Sequence, residues 1–232
     1  MSEFTGKLNA QFRKLGFEIK KYNDPNNKWL LDAQIKSIID IGANVGQFAR
    51  EIADILPDAK IYSFEPIAKC YEILKVNTSA LNIQLFPYAL GDVETEQEMN
   101  VHQHTPSSSL MVMKELHEKA YPNSIKSEKE KITVKKLDKV FATIALEPNV
   151  LVKIDVQGFE EKVILGGIET LKKANIVIVE MTYAYLYQDQ PLFDDVYFHL
   201  RRLGFAFKGN IAQTMNPETG LILDSDSVFV KQ

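Results

Sequence analysis

The segment that most constrains this chain is Ser37-Ile38-Ile39-Asp40-Ile41-Gly42, followed by Ala43-Asn44-Val45-Gly46 and then by Phe48, Ile52 and Leu56 at intervals of four. A short apolar run closed by glycine reads as a buried strand entering a tight turn, and the spacing after it reads as a helix that Pro57 ends. The unit recurs. Lys60 to Glu65 is a β-rich run halted by Pro66, helical spacing covers Ile67 to Leu81, and a third strand is expected over Ile83 to Tyr88. After a long interruption the rhythm resumes with a strand over Val150 to Val156, a helix over Phe159 to Lys173 broken near Gly166-Gly167, and a strand over Ile176 to Met181. Strands alternating with helices imply right-handed crossovers and a parallel sheet covered on both faces. Phe193 to Leu203 then carries helical spacing, and Phe205 to Lys208 and Ser227 to Lys231 follow as strands with no helix between them, an antiparallel edge. The expectation is a doubly wound, mostly parallel α/β sheet of seven strands with helices on both faces and an antiparallel C-terminal edge strand.

Residues 1–35 read as a helical or irregular lead-in, with turn formers dense over 23–27, and 36–232 as the functional domain. Within it, 91–140 loses the α/β rhythm. Here a hairpin over 95–103, a solvated helix over 111–120 and a lid-like variable insertion are all compatible with the pattern. Composition narrows the function. A chain of 232 residues with 27 Lys+Arg against 31 Asp+Glu has a net charge of −4, which gives no global attraction to nucleic acid or anionic lipid. No apolar run has the length of a membrane span and no signal peptide is legible, so no membrane insertion is expected. With Cys70 alone there is no intramolecular disulfide, which fits a reducing, cytoplasmic setting.

In an open parallel sheet the ligand lies at the carboxyl ends of the strands, where strand order reverses. Here those ends carry Asp40-Ile41-Gly42, Glu65-Pro66, Ala89-Leu90-Gly91-Asp92, Asp155 and Glu180. The glycine turn is not a dinucleotide fingerprint, because Asn44 and Gln47 stand where the second and third glycines belong, and it lacks the Lys-Ser/Thr of a phosphate loop. A D-x-G-x-N-x-G turn lets a ligand approach the backbone and adds a carboxylate and an amide, while Glu65 one β-α unit later can accept from both ribose hydroxyls. Together these describe a nucleoside with a cationic tail, as in S-adenosylmethionine.

The ordered motifs IIDIGANVGQF (38–48), YSFEP (62–66), PYALGD (87–92), SSSL (107–110), KKLD (135–138), VKIDVQGFE (152–160) and the closing DSVFVK resemble the FkbM family of S-adenosylmethionine-dependent methyltransferases, a branch of the class I methyltransferase fold. The resemblance spans about 36–231. It implies that Asp40, Gly42, Ala43, Asn44 and Gly46 line the methionine end of the donor, Glu65 and Pro66 the ribose, and Ala89 and Leu90 the adenine, with S-adenosylhomocysteine as product. Two positions depart from the family pattern. The usual asparagine before ALGD is Tyr88, and the common D-x-E-G-x-E reads Asp155-Val156-Gln157-Gly158-Phe159-Glu160, so the central acid is an uncharged amide.

Displacement at a sulfonium methyl needs the acceptor oxygen held behind the carbon and its proton removed. Asp155 is the best-placed base or acceptor-orienting carboxylate, or else holds the donor's ammonium. Glu180 is a second candidate, or a helix cap, and His104 a third. Ser108 and Ser109, from SSSL, and Tyr183 and Tyr185, which alternate with Tyr187 after the fifth strand, are candidate acceptor-binding residues. The tyrosines could equally form an aromatic cluster packing on the sheet. His102 with His104 lacks the spacing or partners of a metal site, and no metal is expected. The leading reading is an O-methyltransferase for a hydroxyl of a sugar, glycan precursor or polyketide-like small molecule. RNA methylation, a silent S-adenosylmethionine-binding accessory protein and a nicotinamide-dependent oxidoreductase are the rivals. The RNA reading rests on eight lysines against five acids between Lys114 and Lys139.

Overall fold

The computed structural model describes residues 27–102, 109–110, 127–188, 190–216 and 218–232. The chain divides into two compact units, 1–33 and 34–232. In the first, the described residues form helix α1 (Lys28–Asp32), closed by a Lys28–Asp32 ion pair.

The second unit is built on a seven-stranded sheet in the order β3-β2-β1-β7-β8-β10-β9. Its strands are β1 (Ser37–Ile41), β2 (Lys60–Phe64), β3 (Ile83–Phe86), β7 (Val150–Ile154), β8 (Ala174–Thr182), β9 (Phe205–Met215) and β10 (Ile222–Lys231). The pairs β1–β2, β2–β3, β1–β7 and β7–β8 are parallel, whereas β10 runs antiparallel to both β8 and β9. Every residue of β1 and β7 is buried, which is why these central strands read as mainly apolar runs, interrupted by Asp40 and Lys153. Strand order reverses between β1 and β7, so the crevice lies above Ile41 and Ile154.

The connecting helices are α2 (Gln47–Ile55), α3 (Ala68–Asn77), α4 (Leu137–Val140), α5 (Glu160–Gly166), α6 (Ile168–Lys172) and α7 (Phe193–Arg202). The break between α5 and α6 has a steric cause. A Cβ on Gly166 would lie 1.9 Å from the Gly91 carbonyl oxygen, and one on Gly167 would lie 2.5 Å from Leu137 Cδ2, so the double glycine lets the helix pair close on both segments. Asp138, the acid of KKLD, then caps α6 from outside it, accepting from Glu169 N (3.0 Å), Thr170 N (2.7 Å) and Thr170 Oγ1 (2.8 Å).

The variable segment departs from its expected form. Among the described residues of the expected hairpin over 95–103, Thr95–His102 form one continuous strand. This strand, β5 (Thr95–His102), pairs antiparallel with the distant β6 (Ser127–Lys135), whose other edge takes the short parallel strand β4 (Ala89–Leu90). A hairpin pattern is local, whereas the partner that β5 takes lies some thirty residues on. The helix expected over 111–120 lies outside the described residues. Elsewhere the differences are of extent. The third strand stops at Phe86, and the two C-terminal strands run to 11 and 10 residues because each pairs along its whole length. The small sheet packs by Met99, Ile132 and Val134 against Ile67 and Cys70, with Val45, Ala89 and Leu110 at the margin.

Asp138→Ala removes all three capping contacts on α6 and is expected to lower unfolding free energy by about 1–2 kcal/mol. A fall in the urea midpoint at unchanged slope, with donor affinity unaltered, is the measurement that checks it.

Candidate functional site

The ends of β1 and β7 nearly touch, and the local sequence permits it. Gly42 has φ +86°, and a Cβ there would lie 1.8 Å from the Asp155 carbonyl oxygen. No side chain fits that gap. The turn is clamped on its other side by β2, since Gly42 N and Ala43 N both donate to the Phe64 carbonyl (3.1 and 2.9 Å). Asn44, itself left-handed at φ +48°, donates its N–H to Glu65 Oε2 at 2.8 Å.

Glu65 is buried, and its other oxygen accepts the Ile67 N–H at 2.8 Å. Glu130 of β6 accepts the next donor, Ala68 N, at 2.9 Å, so two carboxylates meet the positive end of α3. Burial pushes the Glu65 carboxyl up to about 7, opposed by its two backbone donors and reinforced by Asp40 and Glu130. Glu160 repeats the device after β7. Its Oε1 accepts from Val156 N and Gly158 N (3.1 Å each), and burial likewise pushes it up to about 7. Glu160 thus shapes the turn after Asp155.

Above these turns lies a cavity of about 320 Å³. One half is walled by Gly42, Ala43, Asn44, Glu65, Pro66, Ile67, Ala89 and Leu90; the other by Asp155, Gln157, Glu180, Thr182, Tyr187, Gln190 and Asp224; Met99 and Leu110 of the variable segment also line it. Side chains from β7, β8, β10 and two loops therefore converge. Lys153, buried, donates to Asp226 Oδ1 (2.7 Å) and Asp155 Oδ2 (3.3 Å). Burial alone would depress the lysine, but Asp155, Asp226 and Glu180 outweigh it and hold the ammonium charged well above its usual range. Glu180 is raised well above the usual carboxyl range by burial, with Asp155 and Asp224 adding to the rise. Gln157 links three residues of the second half. Its Nε2 donates to Asp155 Oδ1 (3.0 Å) and Glu180 Oε2 (2.6 Å), and its Oε1 accepts from the Tyr187 hydroxyl (3.0 Å). Gln190 positions the Tyr187 loop, accepting from Leu186 N and Tyr187 N and donating to Thr182 Oγ1.

Of the residues anticipated from sequence, Gly42, Ala43, Asn44, Glu65, Pro66, Ala89, Leu90, Asp155 and Glu180 line the cavity together. Asp40 and Gly46 do not. Asp40 stands behind the turn, fully buried, accepting the Ser63 hydroxyl at 2.8 Å, and is pushed up to about 6 by burial. Gly46 (φ +90°) begins α2 and faces Leu74 and Thr78. Tyr183 and Tyr185 are also off the cavity wall. Tyr183 stacks on Phe193 with centroids 5.6 Å apart and shares a hydrogen bond with Ser225 Oγ at 2.9 Å, while Tyr185 is half exposed. Ser109 is buried and donates to the Gln157 carbonyl at 2.6 Å, tying the variable segment to the turn after β7. His104 and Ser108 lie outside the described residues. Among the described residues no group of three or more His, Cys, Asp or Glu side chains is placed to hold a metal ion, and no helix is long and apolar enough to cross a membrane.

Of the three alternating tyrosines, Tyr187 is the one on the cavity wall, and sequence reasoning passed over Thr182 and Asp224. The signal for Asp224 lay in DSDS on β10, where register places Asp224 opposite Thr182 and Asp226 opposite Glu180. Antiparallel partners share a face, so both acids point where β8 presents its polar side chains.

The comparison with known proteins gives this geometry its family. The family model "Methyltransferase FkbM domain" matches residues 40–207, the stretch from the glycine turn to the edge strand. The chain belongs to that family. It is an S-adenosylmethionine-dependent methyltransferase. Among curated relatives, the 2-O-methyltransferase NoeI of Sinorhizobium fredii (strain NBRC 101917 / NGR234) is 29% identical over 176 residues, covering 69% of each chain. Among solved structures, methyltransferase FkbM from Methylobacillus flagellatus KT superposes with a TM-score of 0.53 at 13% identity, covering 85% of this chain but only 44% of that one. Aeropyrum pernix fibrillarin, in complex with natively bound S-adenosyl-L-methionine, gives 0.50 at 10% identity over 85% and 68% of the two chains. At these identities the two structures establish a shared fold and nothing finer.

The buried acids fix a pH dependence. Glu160 ionises near 4.5 when unfolded and near 7 when folded, so folding is favoured fully below pH 4.5 and that advantage is lost as pH rises through 7. The span corresponds to roughly 3 kcal/mol for this one group. Unfolding free energy of the ligand-free protein is therefore expected to fall from pH 5 to pH 8, and Glu160→Gln, which keeps the acceptor oxygen without the buried charge, to fall less steeply.

Proposed function

We propose that this FkbM-family protein transfers the methyl group of S-adenosylmethionine to a hydroxyl of a neutral, hydroxyl-rich small molecule such as a sugar, a glycan precursor or a polyketide-like compound. The supporting observation is the shape of the second half of the cavity. Two carboxylates, Asp155 and Glu180, share one amide donor, and Thr182, Tyr187, Gln190 and Asp224 surround them with groups suited to hydrogen-bonding a polyol. The name of the NoeI relative, a 2-O-methyltransferase, points to the same class of acceptor atom.

The donor half fits the donor on three counts. Gly42 leaves a backbone cradle that a Cβ would fill, Glu65 offers a buried carboxylate whose oxygens keep lone pairs for ribose hydroxyls, and Ala89 with Leu90 give a small apolar wall for a base. In this reading Gly42, Ala43 and Asn44 hold the amino-acid end. The bound donor supplies an electrophilic methyl group. The chain's own part is to bind, orient and deprotonate. Asp155, aligned from one side by Gln157 and from the other by Lys153, accepts the hydroxyl proton or fixes the hydroxyl's direction, and Glu180 is the second carboxylate within reach of the same proton. Met99 and Leu110 exclude water from above. Among the described lysines of the variable segment, Lys129 is paired with Glu98 at 2.8 Å, which supports a small acceptor over RNA. A reducing, cytoplasmic setting and residues 36–232 as the functional domain belong to the same reading.

The test has two steps. Calorimetry with S-adenosylhomocysteine on the full chain is expected to show one site, lost in Glu65→Ala. In a panel of hexoses, deoxyhexoses, glycosides and hydroxylated macrolactones, read by S-adenosylhomocysteine release, Asp155→Asn is expected to cut turnover by about 100-fold or more while product affinity changes little. Absence of binding, or near-normal turnover of Asp155→Asn, overturns the assignment.

A further inference from the structure

Gln157 occupies a position where the family pattern carries an acid, and its contacts give that difference a consequence. The residue sits in a left-handed turn (φ +54°) that Glu160 and Ser109 hold by their contacts to Val156, Gly158 and the Gln157 carbonyl. Its amide orientation is set by the network. With Nε2 toward Asp155 and Glu180, both amide hydrogens meet carboxylate oxygens, and Oε1 meets the Tyr187 hydroxyl. The opposite orientation would set Oε1 against two carboxylates, so it is disfavoured.

We propose that Gln157 is a positioning residue that holds Asp155 and Glu180 as a pair of hydrogen-bond acceptors and thereby sets the pH at which the pair takes up a proton. An amide does this without titrating. It supplies one N–H to each carboxylate in its ionised form, which favours that form, whereas an acid at 157 would put a third carboxyl between two others and require a proton to be held among them. The inference builds on the proposed role of Asp155 and Glu180 in deprotonating the acceptor, and adds what tunes them.

The surrounding charges do not make the amide redundant. Lys153 on β7 gives its hydrogen bonds to Asp155 Oδ2 and Asp226 Oδ1, not to Glu180. Asp224 on β10, Glu160 at the start of α5 and Asp40 on β1 all add negative charge around the pair, and Tyr187 spends its donor on Gln157. Glu180, buried and raised, has the Gln157 N–H at 2.6 Å as its short side-chain donor. Loss of that donor leaves the carboxylate among Asp155, Asp224 and Glu160, with the Lys153 charge opposing them without a hydrogen bond to Glu180.

The experiment titrates the side chains directly. Full-length protein carrying carboxyl-¹³C Asp and Glu is followed by NMR from pH 4 to pH 9, with the Asp155 and Glu180 signals assigned by their loss in Asp155→Asn and Glu180→Gln. Gln157→Met, close in shape and without donors, is expected to raise the midpoints of the pair by about one pH unit or more. Gln157→Glu is expected to spread the titration over an additional step. Tyr187→Phe, which frees the amide from its anchor but leaves it in place, is expected to shift the pair in the same direction by less, and serves if the position-157 variants do not fold. Midpoints that stay unchanged in every folded variant would overturn the inference. The titration uses neither acceptor nor donor. A negative transfer assay therefore leaves it readable, and a negative result here leaves the donor-binding and Asp155→Asn outcomes standing.

Discussion

The backbone of Gly42 lies so close to that of Asp155 that no Cβ fits between them, and the site depends on that approach. Two strands that are far apart in sequence end side by side, and the turn leaving the first can pass over the end of the second only if it carries no Cβ and adopts a positive φ. Once that contact is made, the remaining geometry follows by short steps. The Phe64 carbonyl takes two N–H groups of the turn, Glu65 takes the next one from Asn44, and Asp155 emerges facing the space that the turn has left open. A larger residue at 42 would not merely crowd a ligand. It would separate β1 from β7 at the point where the strand order reverses, and with them the two halves of the cavity.

Directly beneath this contact a polar stripe crosses the hydrophobic sheet. Ser63, Asp40 and Lys153 are register partners on β2, β1 and β7, and Asp226 of β10 meets Lys153 from the far side. Burying these groups opposes folding. A buried charge is tolerable only when paired and hydrogen-bonded, and replacing such a cluster with apolar residues is often neutral or stabilising. Its presence within the buried middle of the sheet therefore asks for a role other than stability. The geometry supplies one. Lys153 reaches through the sheet to Asp155, so the stripe fixes a carboxylate at the cavity wall from below while the Gln157 amide fixes it from above.

The distribution of what could be read from sequence follows the range of the interactions. The parallel core, the glycine turn and the carboxylates at strand ends were legible because each is written in consecutive residues, in apolar runs, a D-x-G-x-N-x-G spacing and the Asp155 and Glu180 that follow strands. The family motifs carried the donor half in the same way. What could not be read was pairing across distance. The pattern over 95–103 suggests a local hairpin, whereas Thr95–His102 pairs with the distant Ser127–Lys135, and from that pairing come the placement of Met99 over the cavity and the Glu130 contact to α3. Asp40 shows the converse limit. A carboxylate at the right sequence position was taken for a ligand-facing group, whereas the pleat turns it away from the cavity toward Ser63.

The tyrosines after β8 show why the second half of the cavity is the harder one to foresee. Three aromatic residues on alternate positions suggest a common face, but the segment is a bent loop and not a strand, so the alternation does not hold. Tyr183 leaves toward Phe193 and Ser225, Tyr185 toward solvent, and Tyr187 alone turns inward, because Gln190 takes both Leu186 N and Tyr187 N and folds the loop back on Thr182. The direction of one functional hydroxyl is thus decided by an amide three residues later. Specificity built on such loops can change with few substitutions while the glycine contact and the polar stripe stay fixed, which is how one family's donor machinery can serve different acceptors.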